Sequence, residues 1–112
     1  MDIRAVTETY SVSEQITVDD IAEIKNQGFK SIVCHRPDDE QPGQPAFGDI
    51  AAAAEAAGLT IRHIPVTSAG LTMEAVNEMV DAVEELDRPM LGYCRSGARS
   101  TVIFKNAEAK MS

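Results

Sequence analysis

The residues best suited to covalent chemistry lie together near the end of the chain, in Tyr93-Cys94-Arg95-Ser96-Gly97-Ala98-Arg99-Ser100. A short apolar run, Met90-Leu91-Gly92-Tyr93, leads into the cysteine, and a helical pattern, Thr101-Val102-Ile103-Phe104, follows the loop. A strand that ends in a cysteine, then a turn with a glycine, then a helix start, aims a ring of backbone N–H groups at one sulfur. The positive end of the helix lies behind it. A thiol held there gives up its proton easily, with pKa values of roughly 3.5–7.5 known for such settings. Arg99 at the helix start and Arg95 in the loop add charge and anion-binding donors, while Ser96, Gly97 and Ala98 supply the remaining amides of the cradle. The implied chemistry is attack by a Cys94 thiolate on an anionic group. The plainer alternative, a small buried hydrophobe, fits poorly with a cysteine whose close neighbours are arginines, serines and a glycine.

The elements that must position this loop follow from periodicity. Asp2 to Val12 alternates apolar positions and predicts one or two short edge strands. Thr17 opens a helix whose buried stripe is Val18, Ile21 and Ile24, closed by Gly28. Ser31–Cys34 is a strand that breaks at Pro37, and Asp38 to Pro45 is a loop. Phe47 to Ala57 is an alanine-rich helix, and Thr60 to Val66 a strand limited late by Pro65. Thr72 caps a long helix with the apolar face Val76, Met79, Val80, Val83 and Leu86. Met90–Tyr93 is the strand that delivers Cys94, and the last helix runs from about Arg99. Strands alternating with helices imply an α/β fold, a small mostly parallel sheet flanked by helices. Ligands bind such sheets beyond the carboxyl ends of the strands, where Cys94 is placed.

With 112 residues, the chain reads as one domain, 1–112. A net charge of −8 argues against nucleic acid or an anionic membrane surface as partner. Arg95 and Arg99 then form a local positive spot on an acidic body, suited to one small anion. Two cysteines far apart in sequence argue against a disulfide scaffold and for a reducing compartment. With no signal-peptide pattern and no apolar stretch of membrane length, the expected location is cytoplasmic.

Cys-Arg-x-Gly-x-Arg-Ser after a short strand resembles the active-site loops of two related cysteine chemistries, rhodanese sulfurtransferases and protein tyrosine or dual-specificity phosphatases. From Asp2 to about Phe104 the chain further resembles the phosphatase-like domain of the bacterial beta-lactamase-hydrolase-like proteins. The matching segments are Arg36-Pro37-Asp38, Pro42-Gly43-Gln44-Pro45, the alanine-rich run Ala51 to Leu59, His63-Ile64-Pro65-Val66 and the Cys94 loop. The resemblance implies a protein-tyrosine-phosphatase-like fold and an enzyme that needs no cofactor. It also implies, as a partner, a metallo-beta-lactamase-like domain that processes a persulfide.

Between the two chemistries, sulfur transfer is the expected one. Tyrosine phosphatases place five residues between Cys and Arg; here Arg95-Ser96-Gly97-Ala98 separate Cys94 from Arg99, a tighter ring sized for a persulfide sulfur. Phosphatases of this fold also supply an Asp general acid after the strand equivalent to Thr60–Val66, and such help is typically worth about 10²–10⁴-fold. This chain has Thr67-Ser68-Ala69-Gly70 there. Sulfite leaving thiosulfate needs no proton. The expected activity is therefore a rhodanese-like sulfurtransferase with Cys94, Arg99 and Ser100 as catalytic residues, the Ser100 hydroxyl bonding the thiolate. Its partner would be a small anionic sulfur donor. The alternatives are a cysteine-dependent phosphatase acting on a phosphate ester, and a zinc-binding or non-catalytic interaction domain. The zinc set would be Cys34, His35, His63 and Cys94, but adjacent Cys34 and His35 suit tetrahedral zinc poorly. The resemblance also implies that the Ser31–Cys34 strand lies beside that of Cys94, as in phosphatase-like sheets, which makes Cys34 a candidate resolving thiol. Arg36 and Asp38 read as supports of the following loop, and His35 and His63 as hydrogen-bonded strand residues. Asp38, Asp39 and Glu40 read as a solvated acidic turn, with one a general acid only if phosphatase activity exists.

Overall fold

In the computed structural model, all 112 residues are described. Five short strands, β1 (Arg4–Ala5), β2 (Tyr10–Ser13), β3 (Ser31–Cys34), β4 (Thr60–His63) and β5 (Met90–Tyr93), form one sheet in the order β1-β2-β5-β3-β4. Only β1 runs antiparallel to its neighbour. Four helices, α1 (Ile21–Asn26), α2 (Phe47–Ala56), α3 (Met73–Glu85) and α4 (Ala98–Met111), cover the two faces. This is the α/β architecture that the alternating pattern predicts, with β5 at the centre. Every residue of β5 is buried, as a parallel strand covered on both faces requires.

Because side chains alternate along a strand, successive residues of β3 and β5 enter different layers. Ile32, Cys34, Leu91 and Tyr93 pack with Ile21 and Ile24 of α1 and Ile50 and Ala54 of α2. Tyr10, Val12, Val33 and Met90 pack with Ala75, Met79 and Ala82 of α3 and Ile103, Phe104 and Ala107 of α4. Thr72 begins α3 in an extended conformation and accepts a hydrogen bond from the Ala75 amide (3.1 Å), which satisfies a donor the helix cannot. Val76, Met79 and Ala82 then bury one stripe. Met79 has no exposure, and truncating it to alanine would cost about 2–5 kcal/mol.

Three expectations need correction. β2 is internal, lying between β1 and β5, so of the first two strands only β1 is at an edge; β4 forms the other edge. The segment after Thr17 starts as a 3-10 turn, Val18–Asp20, which leaves Val18 48% exposed; Ile16 takes the buried place instead. β4 ends at His63, because Pro65 has no N–H, although the Ile64 and Val66 amides still donate to Cys34 and His35 carbonyls. α4 begins at Ala98, in keeping with the expected start near Arg99, and continues to Met111.

Candidate active site

Cys94 follows β5 directly, and Gly97 turns the chain into α4 through φ +97°. That positive φ favours glycine. It points the Gly97 amide back at the cysteine, where it donates to Sγ at 3.0 Å. Burial pushes the Cys94 pKa up, but the Ser100 amide and hydroxyl and the Ser96 and Gly97 amides outweigh it, and the net shift is downward. The thiol is thus set to ionise while having 0% exposure. The Ser100 hydroxyl is buried without a hydrogen-bond partner of full geometry, and its place beside Cys94 contributes to the lowering.

The loop is held from below and from outside. Tyr10 of β2 reaches under β5 and donates from its hydroxyl to the Ser100 carbonyl (3.0 Å) in the first turn of α4, with its ring stacked on Phe104 at 4.0 Å. This requires a glycine at position 92, since a Cβ there would overlap the Tyr10 hydroxyl. Burial, and secondly Cys94, raise the Tyr10 pKa, so it remains a donor. From β1, Arg4 donates to the Ser96 carbonyl at 2.8 Å. Its guanidinium also occupies the space that a Cβ on Gly97 would need. The Gln15 amide donates to the Arg95 carbonyl at 3.4 Å. Carbonyls drawn outward leave the intervening amides free to face the sulfur.

Arg99 is fixed at the mouth. It donates to both carboxylate oxygens of Glu40 (2.7 and 2.9 Å) and to the Val66 carbonyl (2.7 Å). Glu40 also accepts from Arg36 Nε at 2.9 Å, and Arg36 reaches Gln15 and Gln41 with its remaining nitrogens, both at 3.1 Å. The Arg99 hydrogen bonds, with Arg36 adding to them, bring the Glu40 pKa down to about 2. Glu40 is thus an exposed turn residue, as expected, but one paired with two arginines, and its lowered pKa argues against a general acid at neutral pH. Asp38 accepts from the first amide of α2, Phe47, at 2.8 Å, the supporting role expected of it. Around this mouth lies an open groove of about 590 Å³ lined by Glu40, Gln41, Ser68, Arg95, Ser96, Ala98 and Arg99. Another groove of comparable size lies at the opposite end of the strands, around Thr9, Arg88 and Glu108, away from every nucleophile.

Cys94, Arg95, Ser96, Gly97, Ala98, Arg99 and Ser100 thus form one loop around one sulfur. Cys34 does not join them. It pairs with Tyr93, not Cys94, and shares the α1–α2 layer with that tyrosine. Cys94, one residue on, already lies beyond the strand, in the loop that leads to α4. Burial raises the Cys34 pKa to about 11, and its thiol donates to the Arg36 carbonyl, so the arrangement argues against a resolving role. Nor do Cys34, His35, His63 and Cys94 converge: no group of three His, Cys, Asp or Glu residues is arranged to hold a metal ion. His35 is fully buried, and burial lowers its pKa to about 4. Its Nδ1–H donates to the Ile64 carbonyl (2.9 Å), leaving Nε2 as an unpartnered lone pair. His63 Nε2 donates to the Arg36 carbonyl (2.8 Å), and its ring stacks on Phe47.

The residues that sequence reasoning missed are Arg4, Tyr10 and Glu40. A signal existed for Glu40: its loop leaves the carboxyl end of β3, and a strand adjacent to β5 must deliver it to the Cys94 mouth. No helix is long and apolar enough to cross a membrane.

Similarity to known proteins agrees with this geometry. A family model for the "Beta-lactamase hydrolase-like protein, phosphatase-like domain" matches residues 2–111. A beta-lactamase hydrolase-like protein of Agrobacterium fabrum is 32% identical over 104 residues, 93% of this chain and 24% of that protein. The chain therefore spans about a quarter of the length of such curated relatives. A candidate phosphatase from Neisseria meningitidis superposes with a TM-score of 0.84 at 34% identity, covering 93% of this chain and 74% of that one. Tk-PTP superposes with a TM-score of 0.69 at 16% identity over 98% of this chain and 79% of its own, a likeness of fold. The fold is that of the tyrosine-phosphatase-like proteins, and the chain belongs to the phosphatase-like domain family of the beta-lactamase hydrolase-like proteins.

Proposed function

We propose that this domain is a cysteine-dependent phosphatase that works through a phosphocysteine at Cys94. The observation that carries the reading is the acidified Cys94 thiol, inside a ring of Ser96, Gly97 and Ser100 donors and next to an Arg99 held in place by Glu40. A phosphoryl group entering the mouth takes over the Gly97 amide that covers Sγ in the unliganded chain. The thiolate attacks phosphorus, and the amides and the α4 N-terminus stabilise the equatorial oxygens. Arg99 provides a planar two-donor contact to the same group. Ser100 steadies the thiolate as attacking and, later, leaving group. Water then hydrolyses the phosphocysteine.

The expected ranking is therefore reversed. Membership of a phosphatase-like family and the similarity to a candidate phosphatase favour phosphate chemistry over sulfur transfer. Persulfide formation is the second reading, favoured by one observation, the four-residue spacing between Cys94 and Arg99. Phosphate release from p-nitrophenyl phosphate and thiosulfate:cyanide transfer, run side by side, separate the two. The expected result is phosphate release that Cys94→Ser abolishes and Arg99→Ala cuts by at least about 10²-fold. One sulfur atom added to Cys94 by thiosulfate, seen by intact mass without any phosphate release, overturns the proposal.

A further inference from the structure

Two features of the mouth specify what can leave from it. The first is that its lining residues offer no proton donor. Ser68 and Gln41 do not ionise near neutral pH, and Glu40, the single carboxylate there, lies against Arg99 and Arg36. The second is Arg95. It is exposed, lines the same groove as Arg99, and takes part in none of the ion pairs in the chain. A leaving alkoxide, or a phenoxide whose conjugate acid has a pKa of about 10, needs a proton in the transition state. A leaving phosphate does not, because it departs as an ion whose conjugate acid already ionises near neutral pH.

We propose that the substrate class of this site is the phosphoanhydride, with Arg99 and the loop amides holding the transferred phosphoryl group and Arg95 holding the departing phosphate. The inference rests on the phosphatase reading. In the first step the Cys94 thiolate forms an S–P bond to the terminal phosphorus. The bridging P–O bond breaks, and its electron pair departs with the second phosphate as a dianion; no proton moves. In the second step water adds to the phosphocysteine, the S–P bond breaks with its electron pair returning to Sγ, and the product is H₂PO₄⁻. The acidic body of the chain, at −8 net charge, suits a compact dianion pair held by two arginines better than an extended polyanion.

The test compares inorganic pyrophosphate, phenyl phosphate and p-nitrophenyl phosphate on the whole chain by phosphate release, with Cys94→Ser as the blank. Pyrophosphate is expected to exceed phenyl phosphate in kcat/KM by about 10²-fold or more, the scale of a missing general acid. Arg95→Ala should reduce the pyrophosphate to p-nitrophenyl phosphate ratio about tenfold, and Arg95→Lys should recover part of it. Circular dichroism of each variant confirms that it folds. Phenyl phosphate turned over as well as pyrophosphate overturns the anhydride assignment, and so does an Arg95→Ala ratio equal to that of the parent. In both cases the phosphatase reading stands. No Cys94-dependent phosphate release from any of the three overturns both.

Discussion

Replacing Glu40 with glutamine separates two things its carboxylate could be doing at the mouth. In one, Glu40 aims Arg99; in the other, it occupies the place where the substrate anion would lie. The carboxylate makes two contacts with Arg99, at 2.7 and 2.9 Å, and one with Arg36 at 2.9 Å. A glutamine of the same shape sets an NH₂ against a guanidinium N–H, donor against donor, and breaks the two-point contact. A charge-assisted hydrogen bond is worth about 1.5–3 kcal/mol, so an Arg99 no longer held for the transition state should cost roughly 10–10²-fold in kcat. Removing the negative charge acts in the opposite direction on binding. At about 8 Å and an effective dielectric of ~20 its repulsion of an anion amounts to ~2 kcal/mol, so KM should stay level or fall. The assay is steady-state hydrolysis of p-nitrophenyl phosphate by Glu40→Gln, with the Cys94 alkylation rate as a check on the nucleophile. Unchanged kcat with a lowered KM would refute the positioning argument and leave Glu40 as a competing anion. A pH profile should show no ionisation of Glu40 above pH 4, since its pKa lies near about 2.

Three further outcomes follow from the supports around the loop. Alkylation of Cys94 should titrate below the ~8.5 of free cysteine, and Arg4→Ala, which frees the Ser96 carbonyl and removes a positive charge, should move that midpoint upward; an unmoved midpoint would reduce Arg4 to a surface residue. Gly92→Ala should destabilise the fold by about 1–3 kcal/mol in urea unfolding, because Tyr10 must leave its place under α4, and pairing it with Tyr10→Ala should recover part of the loss. His35 is held neutral in the fold with a pKa of about 4, against about 6.5 in an unfolded chain. The unfolded state therefore binds the extra proton between those values. Stability should be full above pH 6.5 and fall by up to about 3 kcal/mol as pH drops to 4; His35→Gln should flatten that slope in pH-dependent urea melts.

The Cys94 loop was legible because it depends on neighbours in sequence: a strand, one glycine and a helix start, all within Met90 to Phe104. The layers of the sheet were legible for the same reason, since the spacing of Val76, Met79 and Leu86 is a local pattern. What escaped is long-range. Arg4 meets Ser96 across 92 residues and Glu40 meets Arg99 across 59, and no periodicity encodes such a meeting. Asp38-Asp39-Glu40 has the composition of a solvated turn, and only the order β5-β3 turns it toward the Cys94 loop. For Cys34, strand adjacency was legible, but its register was not: it pairs with Tyr93, one residue before Cys94, and its raised pKa and hydrogen bond to the Arg36 carbonyl argue against a resolving role.

The two thiols of the chain are held in opposite chemical states. Cys34 is buried in the α1–α2 layer with a raised pKa, while the pKa of Cys94 is lowered. A sulfenic acid formed on Cys94 would meet in Cys34 a thiol that stays protonated and is engaged with the Arg36 carbonyl. Rescue then falls to a small soluble thiol entering past Arg99. Substrate or free phosphate in that mouth would protect Cys94 from the oxidant and, once damage had occurred, would hinder its repair.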